Sequence, residues 1–324
     1  MSVCLYHFTN GNRSFLPDDN LVKIIGSFGN YGVHVFFIIS GVVIPFAMHN
    51  EHYQVKDFKA FLWKRIVRIE PPYLISFLLV ILLNFLSTFS PYYHGKPFHP
   101  DTFQLLCHLG YLNSFYNFEW INPVYWTLAI EFQYYILIAL IFPLLSMKKT
   151  AGWLLTIVLF NTISYLLPNP NFIFQYSLYF SLGIIIYKYI VEDISELMYF
   201  ILVPLILALI FLKFNMAGTI AAAIPVLFMF IYMENKILNF LGNISYSLYL
   251  LHVPVGLRVI NLSKNFFVNP TSKYLVIVVT MAVTILASYI FYRYIELPFK
   301  RMSKKIRYGK ASPKNDPLPS LTTV

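Results

Sequence analysis

NPVYWTLAIEFQYYILIALIFPLL, residues 122–145, is the stretch on which the fold turns. It covers the roughly 20 residues with which a helix crosses a bilayer, and Glu131 is its only formal charge. A carboxylate in the bilayer interior costs several kcal/mol, so it faces the protein interior and has a partner or a task there. Thr127 and Tyr135 share its helical face, and Tyr134 is close by. Two readings stay open from these residues. One is a carboxylate that orients an imidazole or binds a substrate hydroxyl. The other is a buried Glu tied to Arg or Tyr for packing specificity.

The rest of the 324-residue chain reads the same way. It is 58% hydrophobic and 12% charged, with a mean hydropathy of +0.64, where a soluble domain carries about 25% charged residues. Aromatics make up 19%, which suits helices ending in interfacial belts. A soluble all-helical core needs more polar surface than this chain owns. The apolar runs are continuous rather than alternating segments of about ten residues, which speaks against a barrel. The fold class expected is all-α, a polytopic membrane helical bundle. The net charge of +10 comes from bases gathered in short loops and the C-terminal tail, as the positive-inside rule expects. The partner it implies is the lipid bilayer, and no nucleic acid. Cys4 and Cys107 lack metal-ligand spacing and read as free, apolar-facing thiols. His94, His99 and His108 are dispersed without zinc spacing, so no metal is expected. The start, MSVCLYHFTNG, does not read as a signal peptide.

Candidate spans fall at 30–49, 70–89, 123–146, 151–168, 172–190, 197–213, 216–233, 241–262 and 273–297. Residues 1–9 are too short to cross and read as the outer end of a truncated first helix, which makes about ten transmembrane helices in all. Residues 10–29 read as polar and turn-rich. Pro204 and Pro225 lie inside spans, where neighbouring helices satisfy the freed carbonyls. Charge bias puts Lys56, Lys59, Lys64, Arg65 and Arg68, then Lys148 and Lys149, then Lys300 to Arg307, on the cytoplasmic side. The expected location is the inner or plasma membrane, multi-pass, with a cytoplasmic C-terminus. Residues 1–303 form the membrane domain and 304–324 a disordered, Lys- and Pro-rich tail.

Few residues carry chemistry. His7, in LYHF, reads either as a general base or as an interfacial histidine without a role. In FLWKRIVRIEPPYL, Arg65 and Arg68 share a helical face, with Lys64 beside them. Two arginines make a fork suited to phosphates, against the alternative of a positive-inside anchor. Their position, hard against the next span, favours the clamp. Pro71 and Pro72 follow, where a helix would stop or restart. In LGNISYSLYLLHVPV, Gly242 and Asn243 signal a turn, and Ser245, Tyr249 and His252 then fall along one stripe. Such a stripe binds substrate or joins helices by hydrogen bonds. Arg293 and Glu296 read as an i, i+3 ion pair.

Six segments in order resemble the acyltransferase-3 family of integral membrane acyltransferases. They are LYHF at 5–8, FFIISGVVI at 36–44, WKRIVRIEPPYL at 63–74, VYWTLAIEFQYY at 124–135, LGNISYSLYLLHVPV at 241–255 and YIELPFKR at 294–301. The resemblance implies about ten spans and transfer of an acyl group, usually acetyl from acetyl-CoA, to carbohydrate hydroxyls or amines. The type it suggests is an O-antigen or exopolysaccharide O-acetylase. The acceptor would be free, lipid-linked or polymeric. Acetyl-CoA would be the acyl donor substrate, with no cofactor bound permanently. By the same resemblance His7 is the family's histidine, Arg65 and Arg68 its Arg-x-x-Arg pair thought to meet CoA phosphates, and Glu131 the acid of its Trp-Ser/Thr-Leu-x-x-Glu motif. Ser245, Tyr246 and His252 match its late Ser-Tyr motif. The family places an Arg ahead of the histidine with ten residues between them. Here that position precedes Met1, so the chain is expected to be N-terminally truncated.

The mechanism expected has His7 deprotonating an acceptor hydroxyl and Glu131 orienting His7 in the manner of a triad acid. The rival class is a transporter or flippase for a lipid-linked sugar, which shares the spans and the buried charge.

Overall fold

The computed structural model describes residues 1–89, 98–228 and 235–308. Those residues are 80% helical, with no strand among them. The helices are α1 Ser2–Asn10, α2 Leu21–Ser27, α3 Gly32–Asn50, α4 Phe58–Ser87, α5 Thr102–Leu109, α6 Trp126–Leu145, α7 Thr150–Leu166, α8 Ser177–Ile190, α9 Glu196–Lys213, α10 Met216–Phe228, α11 Lys236–Leu251, α12 Leu257–Ser263, α13 Pro270–Phe291 and α14 Leu297–Lys305. Five continuous helical runs are long and apolar enough to cross a membrane: Leu21–Asn50, Val55–Ser87, Trp126–Leu145, Glu196–Lys213 and Pro270–Lys305. The polytopic all-α bundle expected from composition is what forms.

Several local expectations need correction. Residues 10–29 are not turn alone. Asn20 accepts the Val22 and Lys23 N–H groups and starts α2, as an Asn N-cap does. Asp101 likewise caps α5 in a segment read as loop. Pro71 and Pro72 neither stop nor restart a helix but lie inside α4. A proline deletes one backbone donor and frees a carbonyl a turn earlier. Here those carbonyls belong to Val67 and Arg68, and the Tyr246 hydroxyl donates to the next one along, Ile69 O, at 2.9 Å. The domain boundary at 303 falls inside α14, where Ser303 is buried, and Tyr308 beyond it is buried too. The tail at 309–324 and His94 lie outside the described residues. Cys4 and Cys107 are free, buried thiols, and no metal-binding group occurs among the described residues.

The chain divides into two units. The first comprises residues 1–30, 65–129 and 235–305. Its apolar centre gathers Cys4, Phe8, Phe15, Leu16, Leu248, Ile260, Val276 and Ile277, so α1, α11, α12 and α13 share one core. Two π-helical turns interrupt this unit, His252–Gly256 and Tyr292–Glu296. A π turn shifts the helical register by one residue and is frequent at functional sites.

The second unit comprises residues 31–64, 130–234 and 306–324. At its centre is α8, buried from Ser177 to Lys188. A helix apolar on all sides belongs in such a place. It crosses α3 with backbones touching: a Cβ on Gly183 would lie 2.2 Å from Ile38 O, and one on Gly41 would lie 2.5 Å from Phe180 O. Small residues permit this approach between membrane helices. Polar bonds reinforce the unit, since Asn161 of α7 donates to Ser181 Oγ and accepts from Ser177 Oγ, both at 2.8 Å.

Gly183→Ala is therefore expected to destabilise the protein by about 1–3 kcal/mol through overpacking. Gly242→Ala, whose Cβ meets nothing within 4 Å, should be neutral or slightly stabilising, because Ala is the better helix former. Thermal melting of both variants in detergent checks this.

In the first unit His108 anchors the segment before α6. Tyr73 donates to its carbonyl at 3.0 Å, Ile121 N–H donates to its Nε2 at 3.2 Å, and its Nδ1 faces Gln104 O at 2.9 Å. A neutral ring protonated on Nδ1 satisfies both contacts. Burial holds its pKa below the ordinary 6.5, with the Gln104 bond working the other way. The unfolded chain takes the proton near that ordinary value and the folded chain only at lower pH. Its contribution to stability is thus intact above about pH 6.5 and declines as pH falls below it. Amide exchange over 102–121, corrected for intrinsic rate, should speed up between pH 7.5 and pH 5.5 in the native protein, with no such step in His108→Asn.

Candidate active site

Helix α1 carries His7, and the packing of α1 determines where that imidazole stands. Cys4 and Phe8, four residues apart, form its buried face against α12 and α13. Phe8 is fully buried and its ring occupies the space that Gly256 leaves open: a Cβ there would sit 2.1 Å from Phe8 Cε1. Phe8 is thus seated on the π turn that begins at His252. Its neighbour His7 stands half-buried at the edge of the same face, with its ring centroid 5.2 Å from that of His252. Tyr6 meets His7 edge-on at 5.0 Å.

His252 is fully buried. Its Nδ1 lies 3.0 Å from Leu248 O and 2.8 Å from Tyr249 O. Both are acceptors, so Nδ1 carries the proton and Nε2 keeps its lone pair. That Nε2 has no hydrogen-bond partner among the described residues. Tyr249 faces the segment leading into α6, where its hydroxyl bonds Val124 O and Thr127 Oγ1. Asn122 ties the same segment to α11 by donating to Leu250 O at 3.1 Å. The start of the Trp-Thr-Leu motif is thus fastened to the helix that bears His252.

The stripe read through Ser245, Tyr249 and His252 is therefore divided. Ser245 stands exposed and bonds back to Gly242 O at 2.8 Å. The buried serine is Ser247, whose hydroxyl and amide donate to Glu296 Oε2 at 2.5 and 3.2 Å. Glu296 is thus held by Ser247, and no salt bridge to Arg293 forms. The π turn that ends at Glu296 carries it out of the simple i, i+3 relation. Ser247 and Glu296 lie in two of the quoted motifs, but their pairing across helices had no local signal.

Arg65 and Arg68 both lie on α4 in the first unit, Arg65 buried and Arg68 exposed. Arg68 is within electrostatic reach of Glu296 and of Lys300. The residues assembled in this unit are His7 with His252, Tyr249 with Thr127, and Arg68 with Glu296 and Lys300. Lys64 and Glu131 belong to the second unit. There Lys64 pairs with Glu51 and lies 4.8 Å from the ring of Tyr308. Glu131 is buried and accepts a hydrogen bond from the Tyr135 hydroxyl one turn on.

The site is thus a half-buried imidazole set against a second, buried one in a bundle of membrane helices. The family model Acyl_transf_3, an acyltransferase domain, matches residues 1–293. The chain belongs to this acyltransferase-3 family and is a membrane acyltransferase. No curated protein and no solved structure matches it.

If Phe8 is what seats α1, then Phe8→Ala should lower stability by about 3–5 kcal/mol, as loss of a buried ring does. Melting in detergent reads the loss. Limited proteolysis should then cut first within residues 1–30.

Proposed function

We propose that this acyltransferase takes its acyl group, acetyl in the first instance, from acyl-CoA and passes it to a hydroxyl of a surface carbohydrate of O-antigen or exopolysaccharide type. The observation that carries the reading is His7, an imidazole held half-buried against His252 in a chain matched by the family over residues 1–293. Arg68 and Lys300 support the donor. They lie close enough to feel each other's charge and that of Glu296, whose Oε2 also accepts from Ser247. Two cations kept together in this way suit a polyanion such as the CoA phosphates. Arg65 and Arg68 form the fork of the clamp. Lys64 is the third cation that this reading takes from the sequence, and Glu51 holds its ammonium.

In the reaction His7 takes the proton of the acceptor hydroxyl. The oxygen bonds to the thioester carbonyl carbon, the C–S bond breaks, and the CoA thiolate receives the proton back from His7. Glu131 is the second catalytic candidate, its carboxylate oriented by Tyr135. Charge bias among the loops supports an inner or plasma membrane placement with Arg65, Arg68 and the C-terminus facing the cytoplasm, where CoA thioesters are made.

Membranes containing the protein, given labelled acetyl-CoA and an O-antigen or exopolysaccharide acceptor, should place label in alkali-labile sugar esters. His7→Ala should reduce the rate by about 10²-fold or more. Arg65→Ala with Arg68→Ala should raise KM for acetyl-CoA by about tenfold or more, as loss of charge-assisted bonds does. Label that never reaches sugar, or a rate untouched by His7→Ala, would overturn the reading.

A further inference from the structure

We infer that His252 is the positioning residue of His7, and that the two form a neutral imidazole pair in which His252 Nε2 accepts the His7 N–H. The inference rests on the reading of His7 as the base. It assigns to His252 a task that a structural hydrogen-bonding stripe does not contain.

Three observations lead to it. The first is the state of the His252 ring. The carbonyls of Leu248 and Tyr249 both face Nδ1, so the proton is fixed there and the lone pair is fixed on Nε2. The second is cost. A buried acceptor without a partner is expensive, and His252 Nε2 is such an atom among the described residues. A histidine kept in that condition has an acceptor held in reserve. The third is reach. The His7 ring centroid is 5.2 Å away, with the planes at 55°. At that separation an N–H···N distance of about 2.9 Å is reached when a nitrogen of each ring points along the line between the centroids.

The backbone holds the pair in place. His252 opens the π turn, whose Gly256 receives the Phe8 ring. The contact that seats α1 and the contact that orients His7 therefore come from consecutive residues, Phe8 and His7, on consecutive parts of one turn. A regular α-helix through 252–256 would change the register of that turn by one residue and separate the two.

The chemical consequence concerns the tautomer of His7. When one His7 nitrogen donates its proton to His252 Nε2, the other carries the lone pair and faces the acceptor hydroxyl. His7 then takes the hydroxyl proton, the oxygen forms its bond to the acyl carbon, and the C–S bond breaks. The proton passes from His7 to the leaving sulfur, so the pair ends as it began. Throughout, His252 keeps its own proton on Nδ1. It serves His7 as the buried acid serves the histidine of a hydrolytic triad, with an uncharged acceptor in place of a carboxylate.

The test uses the whole protein in membranes. His252→Asn keeps a donor towards Leu248 O and Tyr249 O and removes the acceptor. His252→Gln restores an oxygen near the Nε2 position. His252→Asn is expected to lower kcat by about 10- to 100-fold with KM for acetyl-CoA unchanged, and His252→Gln to recover part of that loss. The double variant His7→Ala with His252→Asn should be no slower than His7→Ala alone, because the second residue acts through the first. Full kcat in a folded His252→Asn, equal losses in the Asn and Gln variants, or losses that multiply in the double variant would each overturn the inference. The tautomer is read on the native protein by nitrogen-15 NMR of labelled histidine, whatever the variants do. A His252 protonated on Nδ1 is expected, and one protonated on Nε2 would end the proposal. If His7→Ala itself keeps full activity, the base assignment fails, a result separate from any outcome at His252.

Discussion

Inside a bilayer a polar group has no water to turn to, so each must find its partner in the protein, and this constraint arranges everything else here. The buried Lys188 ammonium takes Asp193 at 2.9 Å and lies over the Trp153 ring. Asn161 is divided between Ser177 and Ser181. Glu296 is capped by Ser247 from the helix opposite. Tyr246 donates to a carbonyl in the turn ahead of the two prolines of α4. His252 Nε2 is one of several buried polar atoms without a hydrogen-bond partner among the described residues, His34 Nδ1 being another, and its ring lies 5.2 Å from that of His7.

The same constraint explains how a short helix can hold a catalytic group. Helix α1 is too brief to be stable alone in water. Its place comes from tertiary contact, chiefly Phe8 against the open face of Gly256 and Cys4 within the shared core. Asn10 adds a bond to Lys23 O in α2 at 3.1 Å. Lys23 in turn is buried, its ammonium bonded to Leu16 O and to Asp18. His7 is thus carried on a rigid support assembled from both ends of the sequence.

The architecture was legible from residues 122–145 and from composition, because apolar runs of that length have one stable form in lipid. The span from 30 to 49 was found almost to the residue as α3, and 197–213 as α9. Caps at Asn20 and Asp101 carried their usual signal, but the polar surroundings concealed the short helices they begin. The prolines of α4 misled, since the helix runs through both from Phe58 to Ser87, as membrane helices tolerate. Within the candidate site, His7 and the Arg65/Arg68 face could be named from motifs. The link between His7 and His252 could not, because it spans nearly the whole chain and passes through a π turn that periodicity does not foresee.

The sequence alone settled that this chain is a bundle of membrane helices, because segment length and apolarity are properties of the chain itself. It also settled which residue types were available for proton transfer and for binding phosphate. Only the tertiary structure decided that Glu296 answers to Ser247 rather than to Arg293, that Ser245 is left exposed, and that the His252 ring lies 5.2 Å from that of His7. Those outcomes depend on which helix lies against which, and on where a helix gains one residue in its turn. Neither is written in any local window of residues.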